Sequence, residues 1–414
     1  MENTFEYRFS MNISALTFRD FRIYLGGNLF ASNALWMQRV TIGWIAWDLT
    51  SSAAFVGFVA FANFAPSIIT GPLFGVLIDR IRVKEAALIT QFLSLIIALS
   101  FFVFFVFGIL NELVILLLSA FSGLIVSAHS PVRMSLAPRL VDRASVSSVI
   151  TLGAINFNLA RLTGPAVGGW LIAFWGVSAA LFIQVLCYLP FLFAISLLQP
   201  RERLSSETSK EAFLNALKSG IRHVLKSPLI CQALLITALY SFLIRGALEL
   251  LPVIADGLFS KGATGLGLLT SCAGFGALLA GMVKALLPNQ ISGRIPKYVL
   301  VSVLIGIAMV SLVGLSNSWM LTVLCISYLG FAGTLSGISL QTAIQIELED
   351  NFRGRVMSLW TMAGIGGSAA GAIALGALTD YLGFKLAFGL AGSLGIIILA
   401  PLIVTRRRYK ATVD

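Results

Sequence analysis

Apolar residues fall in long blocks along this chain, and short polar intervals separate the blocks at nearly regular distances. About 20 apolar residues suffice for a helix to cross a bilayer. Twelve blocks reach that length, at about 22–48, 53–78, 86–108, 113–137, 147–173, 178–198, 229–256, 263–287, 298–316, 319–346, 356–379 and 383–404. The pattern predicts an all-α membrane protein with twelve transmembrane helices. The longest polar interval, residues 199–228, divides the blocks six and six.

The two groups look like a repeat. Gly57 and Gly265 are offset by 208 residues, as are Asp48 and Asp256, and Gly164 and Gly371 by 207. Similar six-helix halves are the sequence trace of a transporter whose site lies at the repeat interface. The expected organisation is an N-terminal six-helix bundle (1–198), a cytoplasmic linker (199–228) and a pseudo-symmetric C-terminal bundle (229–414). Within the linker, Phe213, Leu214, Leu217, Ile221, Val224 and Leu225 share one helical face, with Lys210, Lys218, Arg222 and Lys226 around the other. This predicts an amphipathic helix on anionic inner-leaflet lipid, with a regulatory partner site as the alternative.

Composition agrees with the pattern. The chain is 58% hydrophobic and 11% charged, with a mean hydropathy of +0.93. Soluble domains carry about 25% charged residues, so this chain cannot cover a water-facing surface. The net charge of +11 argues for nucleic acid only until the charges are placed. With both termini cytoplasmic, 23 Lys and Arg lie on the inner side and only Lys261 and Lys385 outside. A wrong helix count would scramble this positive-inside alternation. Residues 1–20 are polar and show no removable signal peptide. Cys187, Cys231, Cys272 and Cys325 have no metal-like spacing and His129 and His223 lie far apart, so no metal or cofactor is expected.

Four basic residues remain inside predicted spans: Arg39, Arg133, Arg161 and Arg245. Arg133 is near the cytoplasmic end of its block and can snorkel. The other three lie near mid-depth, where a charge costs about 2.5–3.5 kcal/mol on insertion scales. Glu249 stands four residues after Arg245, the spacing of a same-helix ion pair. That leaves Arg39 and Arg161 with no obvious acid. Either backbone and neutral polar groups hold these arginines as structural elements, or they form a positively charged cavity for an anionic or oxygen-rich ligand. The planar guanidinium fork suits carboxylate or catecholate oxygens. The candidate substrate-binding set is Arg39, Arg161, Arg245, Gln38, Trp36 and Asn156, with Glu249 as the coupling carboxylate and proton carrier. Asn28, Asn33, Asn63 and Asn158 add further polar edges. Trp44 and Trp47 flank Arg39 as well, although membrane-interface anchoring also explains Trp47.

The stretch "GVLIDRIRVK" between the second and third blocks carries Gly75, Asp79, Arg80, Arg82 and Lys84. It resembles the G-x-x-x-D-R-x-x-R-K loop signature of the major facilitator superfamily, with Val83 interrupting the basic pair. In the fifth block, "ARLTGPAVGGW" contains Gly164, Pro165, Gly168 and Gly169 and resembles the G-P-x-x-G-G motif of exporters in that superfamily. With "MQRVTIGWIAWDLT", "PVRMSLAPRLV" and "RGRVMSLW", the chain resembles the enterobactin-exporter and macrolide-efflux branch over nearly its whole length. Arg39 and Arg245 match no motif of that branch.

The resemblance implies a bacterial inner-membrane exporter of organic molecules, siderophores and macrolides among them. Gating is expected of Gly75, Asp79, Arg80 and Arg82 with Arg353 and Arg355, Asp79 approaching the start of the eleventh helix. No G-x-x-x-x-G-K-[ST] loop occurs, so transport is expected to be secondary. No nucleophile constellation points to an enzyme. The expected function is export of an anionic or oxygen-rich small organic molecule, such as a siderophore, by a monomer using alternating access. Macrolide or multidrug efflux, or transport of lysophospholipid or another anionic lipid, is the alternative. Membrane lipids and a proton are the other expected partners; nucleic acid is not.

Overall fold

The computed structural model describes residues 14–78, 81–201, 213–287 and 295–410. Helix α1 spans Arg19–Thr50, α2 Ala53–Ile78, α3 Val83–Val106, α4 Glu112–Leu136 and α5 Val146–Leu197. After the short α6, Phe213–Lys226, comes α7, which begins with Pro228–Tyr240 and continues to Leu258. Then follow α8 Gly262–Leu286, α9 Lys297–Leu315, α10 Trp319–Glu347, α11 Asp350–Leu382 and α12 Phe384–Lys410.

Nine stretches of the described residues are long and apolar enough to cross a membrane. One is the double-armed α5, and α1 and α2 bring the count to the twelve spans that the sequence pattern predicts. In α1, Asn28, Asn33, Gln38 and Arg39 dilute the apolar character. Apolar side chains point outward, Phe174 at 65% exposure and Leu394 at 55%, as suits lipid.

The expected spans 147–173 and 178–198 are not separated by a loop. They are the arms of α5, joined at Gly176, whose φ of 81° and ψ of 170° suit a residue without a Cβ. The arms reverse direction there, because Arg201 N donates to Arg139 O at 3.1 Å, beside the start of the first arm.

An even number of spans puts the start of α1 and the end of α12 on one face, the terminal face. The opposite, far face carries the turns at residues 51–52, 107–111, 259–261 and 383. Helices α2 and α11 pack backbone to backbone: a Cβ on Gly57 would stand 2.5 Å from Ala372 O.

Helix α7 is irregular. A π-helical turn covers Ser241–Arg245, a short α turn Gly246–Glu249, and a second π-helical stretch Val253–Leu258. Pro252 cannot donate to the preceding turn, which loosens the ladder where the second stretch begins. Such segments re-aim side chains and cluster at functional sites.

Candidate functional site

The expected pair Arg245–Glu249 does not form among the described residues. Glu249 Oε1 instead accepts from Arg39 Nη2 at 2.9 Å, joining α7 to α1. Arg245, at the end of the π turn, turns instead toward Tyr240 and toward Gly337 of α10. Arg39, expected to lack an acid, therefore has one. Its side chain is 33% exposed and that of Glu249 20%, so the pair keeps access to water.

Trp36 is the shared floor of the site. The guanidinium carbon of Arg39 is 5.3 Å from the Trp36 ring centroid and that of Arg161 is 5.5 Å from it. Arg39 also lies over Phe64 at 4.6 Å, and Phe157 meets Trp36 edge-on at 5.8 Å. Cation–π contact of this kind holds a guanidinium without neutralising it. Arg161 lies within Coulombic range of Arg245, Arg39 and Glu249. Arg245 faces the Tyr240 ring at 5.5 Å, and a Cβ on Gly337 of α10 would stand 3.2 Å from its Nη2. Neither Arg161 nor Arg245 has a hydrogen-bonded or ionic side-chain partner among the described residues. Arg39 is thus paired with Glu249, and Arg161 lies within Coulombic range of that pair and of Arg245.

The glycine-proline motif seats Arg161. Pro165 has no N–H for the carbonyl of Arg161, four residues before it. Gly274 of α8 packs against that carbonyl, a Cβ there being 3.1 Å from it, and Ser271 Oγ donates to Leu162 O at 3.1 Å. A Cβ on Gly164 would stand 2.7 Å from Trp36 Cβ, and one on Gly169 2.7 Å from Ala263 O. Gly168 packs more loosely on Met37. The motif therefore wedges α5 between α1 and α8 and brings Arg161 over Trp36.

Gln38 and Asn156 do not join the cluster. Gln38 is buried, donates to Ser122 Oγ at 3.4 Å and accepts from Tyr188 Oη at 3.0 Å. Asn156 donates to Leu25 O at 2.8 Å and accepts from Asn28 Nδ2 at 3.4 Å. Both amides are consumed in cross-helix packing, because an amide in lipid must find internal partners. Asn33 likewise accepts from Thr163 Oγ1 at 2.7 Å.

Of the expected gating residues, Asp79 and Arg80 lie outside the described residues, and Gly75 is in the last turn of α2. Arg82 is exposed and 3.7 Å from Glu85, and Arg353 is exposed at the start of α11. Arg355 Nη1 donates to Ser219 Oγ of α6 at 2.9 Å.

On the far face, the sequence reading missed Asp380. Its carboxylate accepts from Ser52 Oγ at 2.6 Å, Ala53 N at 2.8 Å and Ala54 N at 2.9 Å, so the end of α11 caps the start of α2. Trp47 Nε1 donates to Asp256 Oδ2 at 3.0 Å beside it. An acid at a predicted helix end was the only signal, and it did not say which helix start lies opposite.

The family model for transmembrane secretion effectors matches residues 11–413 of this chain. Proteins named Enterobactin exporter EntS, from Escherichia coli O1:K1 / APEC and from Shigella boydii serotype 18 (strain CDC 3083-94 / BS512), are each 27% identical over 352 residues, 82% of this chain and 80% of theirs. Among solved structures, the nucleoside transporter NupG superposes with a TM-score of 0.70 at 12% identity, over 93% of this chain and 98% of its own. A bacterial homolog of the human lysosomal transporter Spinster, inward-facing and unoccupied, gives 0.68 at 13% identity, over 94% and 95%.

Proposed function

The chain belongs to the transmembrane secretion effector family, within the major facilitator superfamily of membrane transporters, and from that membership we propose that it exports an anionic organic molecule by alternating access. The family is one of transporters, not enzymes. The carrying observation is that Arg161 lies within Coulombic range of Arg245 and of the Arg39–Glu249 pair, a group whose three positive charges exceed its one negative charge. Two unpaired guanidiniums in a partly dry site favour a ligand that brings negative oxygen. Trp36 and Phe64 offer ring faces beside them, which suits a ligand that is also aromatic. A siderophore with deprotonated phenolic oxygens has both properties, and the relatives named as enterobactin exporters point the same way.

Both termini are assigned to the cytoplasm on the Lys and Arg asymmetry. The contacts of Asp380 and Asp256 then close the outer face, while the 33% exposure of Arg39 supports access from the cytosol. The anion enters there, competes with Glu249 for Arg39, and loosens the bond between α1 and α7.

Proton coupling has a definite sign in this arrangement. Protonating Glu249 frees Arg39, so proton and anion favour each other's binding, which is the sense of co-transport. Outward movement of the anion is instead driven by a negative-inside potential, worth about 2.3 kcal/mol per charge per 100 mV.

The test compares metabolites secreted by cells with and without the protein, by mass spectrometry. An anionic aromatic product that accumulates inside and vanishes outside on deletion supports the reading. A neutral or cationic product transported equally well by Arg161→Gln sinks it.

A further inference from the structure

The side chains of α6 from Ser219 to Lys226 sort cleanly into two faces. Gly220 and Val224 are buried, with Ser219 and His223 beside them, whereas Ile221, Arg222, Leu225 and Lys226 are exposed. The inner face docks on the start of α11. Arg355 Nη1 donates to Ser219 Oγ at 2.9 Å, the His223 ring stacks on Phe352 at 4.2 Å, and a Cβ on Gly220 would stand 3.2 Å from Arg355 Cβ.

The outer face places an apolar row, Ile221 and Leu225, next to a basic row, Arg222 and Lys226, each spaced by one turn. Leu225 is 72% exposed and Ile221 43%. Water would disfavour the first row and hydrocarbon the second; the headgroup layer of a bilayer accommodates both. Residues 213–226 contain no Asp or Glu, so nothing in the helix offsets its positive charge. Its position after the end of α5 and before Pro228 keeps it at the terminal face.

We propose that the outer face of α6 binds anionic lipid headgroups of the terminal-face leaflet, and that this binding clamps the start of α11. The clamp is mechanical. Lipid that holds α6 in the membrane plane also holds Ser219, Gly220 and His223 against Arg355 and Phe352. Helix α11 runs without interruption from Asp350 to Leu382, and near its other end Asp380 caps α2. Anionic lipid at one face therefore favours the conformation in which the far face is closed.

Hydrogen–deuterium exchange of the full chain tests this in nanodiscs of phosphatidylcholine alone and of phosphatidylcholine mixed with phosphatidylglycerol. Anionic lipid should slow exchange of residues 219–227 and 350–356 by about tenfold or more, as attraction of two basic residues to an anionic surface implies. Arg222→Gln with Lys226→Gln should erase that difference while exchange in phosphatidylcholine stays as in the wild type, which also reports that α6 is still folded. Lys385→Gln, on the far face, should leave the lipid effect intact. Equal exchange of the wild type in both bilayers, or a lipid effect that survives the double substitution, overturns the proposal. The readout is independent of substrate, so it stands or falls separately from the export reading.

Discussion

Arg39 and Glu249, 210 positions apart in sequence, meet at 2.9 Å and tie the first six spans to the last six at mid-depth. Removing one partner leaves the other charge alone in a partly desolvated site. Arg39→Gln and Glu249→Gln should each destabilise the protein by about 1 kcal/mol, below the 1.5–3 kcal/mol of a buried charged hydrogen bond because both side chains retain water contact. The double variant should recover at least half of the loss. Thermal unfolding of the four proteins forms the cycle; strictly additive losses would mean that the pair contributes nothing.

Arg161 behaves differently because it has no acid of its own. Arg161→Gln should leave the melting temperature unchanged or slightly higher, since an intramembrane charge is removed. Binding of an aromatic carboxylate probe should weaken about tenfold, equivalent to roughly 1.4 kcal/mol. Arg161→Lys should recover part of the affinity, keeping the charge but losing the fork. Wild-type affinity in Arg161→Gln, by titration calorimetry, would assign this arginine to structure.

Asp380 holds the far face through three donors. Asp380→Ala removes every acceptor and should raise the population open at that face. In a cysteine-free background, a cysteine in place of Val253, which is buried near Asp380, should then react several times faster with an impermeant thiol reagent added from outside. An unchanged rate would show that the Trp47–Asp256 contact alone keeps that face shut.

The glycines of α5 are not equivalent. Gly169→Val must push against Ala263 O and Gly267, and overpacking of this kind costs about 1–3 kcal/mol. A Cβ on Gly153 meets nothing within 4 Å, so Gly153→Ala should be neutral or stabilise its helix by up to about 1 kcal/mol. Melting temperatures of the two variants should separate accordingly; similar values would remove the close approach of α5 and α8 as a stability determinant.

Orientation can be tested at Asn111, an exposed residue whose side chain caps α4 on the far face. A cysteine there should label from outside intact cells, and one at Arg203 should not. The reverse result would invert the assignment of cytoplasmic termini.

The spans were legible in the sequence because lipid imposes a one-dimensional rule: about 20 apolar residues per crossing, whatever packs beside them. The same rule exposed Arg39, Arg161 and Arg245, since a charge inside a span is anomalous before any neighbour is known. Partners were not legible. Gln38 and Asn156 carry the same polar signal as a cavity residue, and only the positions of Tyr188, Ser122, Leu25 and Asn28 show them satisfied within the packing. The acid nearest to Arg245 in sequence belongs in space to Arg39, because α1 lies across from Glu249 while Arg245 turns toward Tyr240 and Gly337. The sequence by itself determined which helices exist and which charges need an explanation; their pairing waited for tertiary structure, because ion pairs and caps depend on distances between helices that hydropathy does not encode.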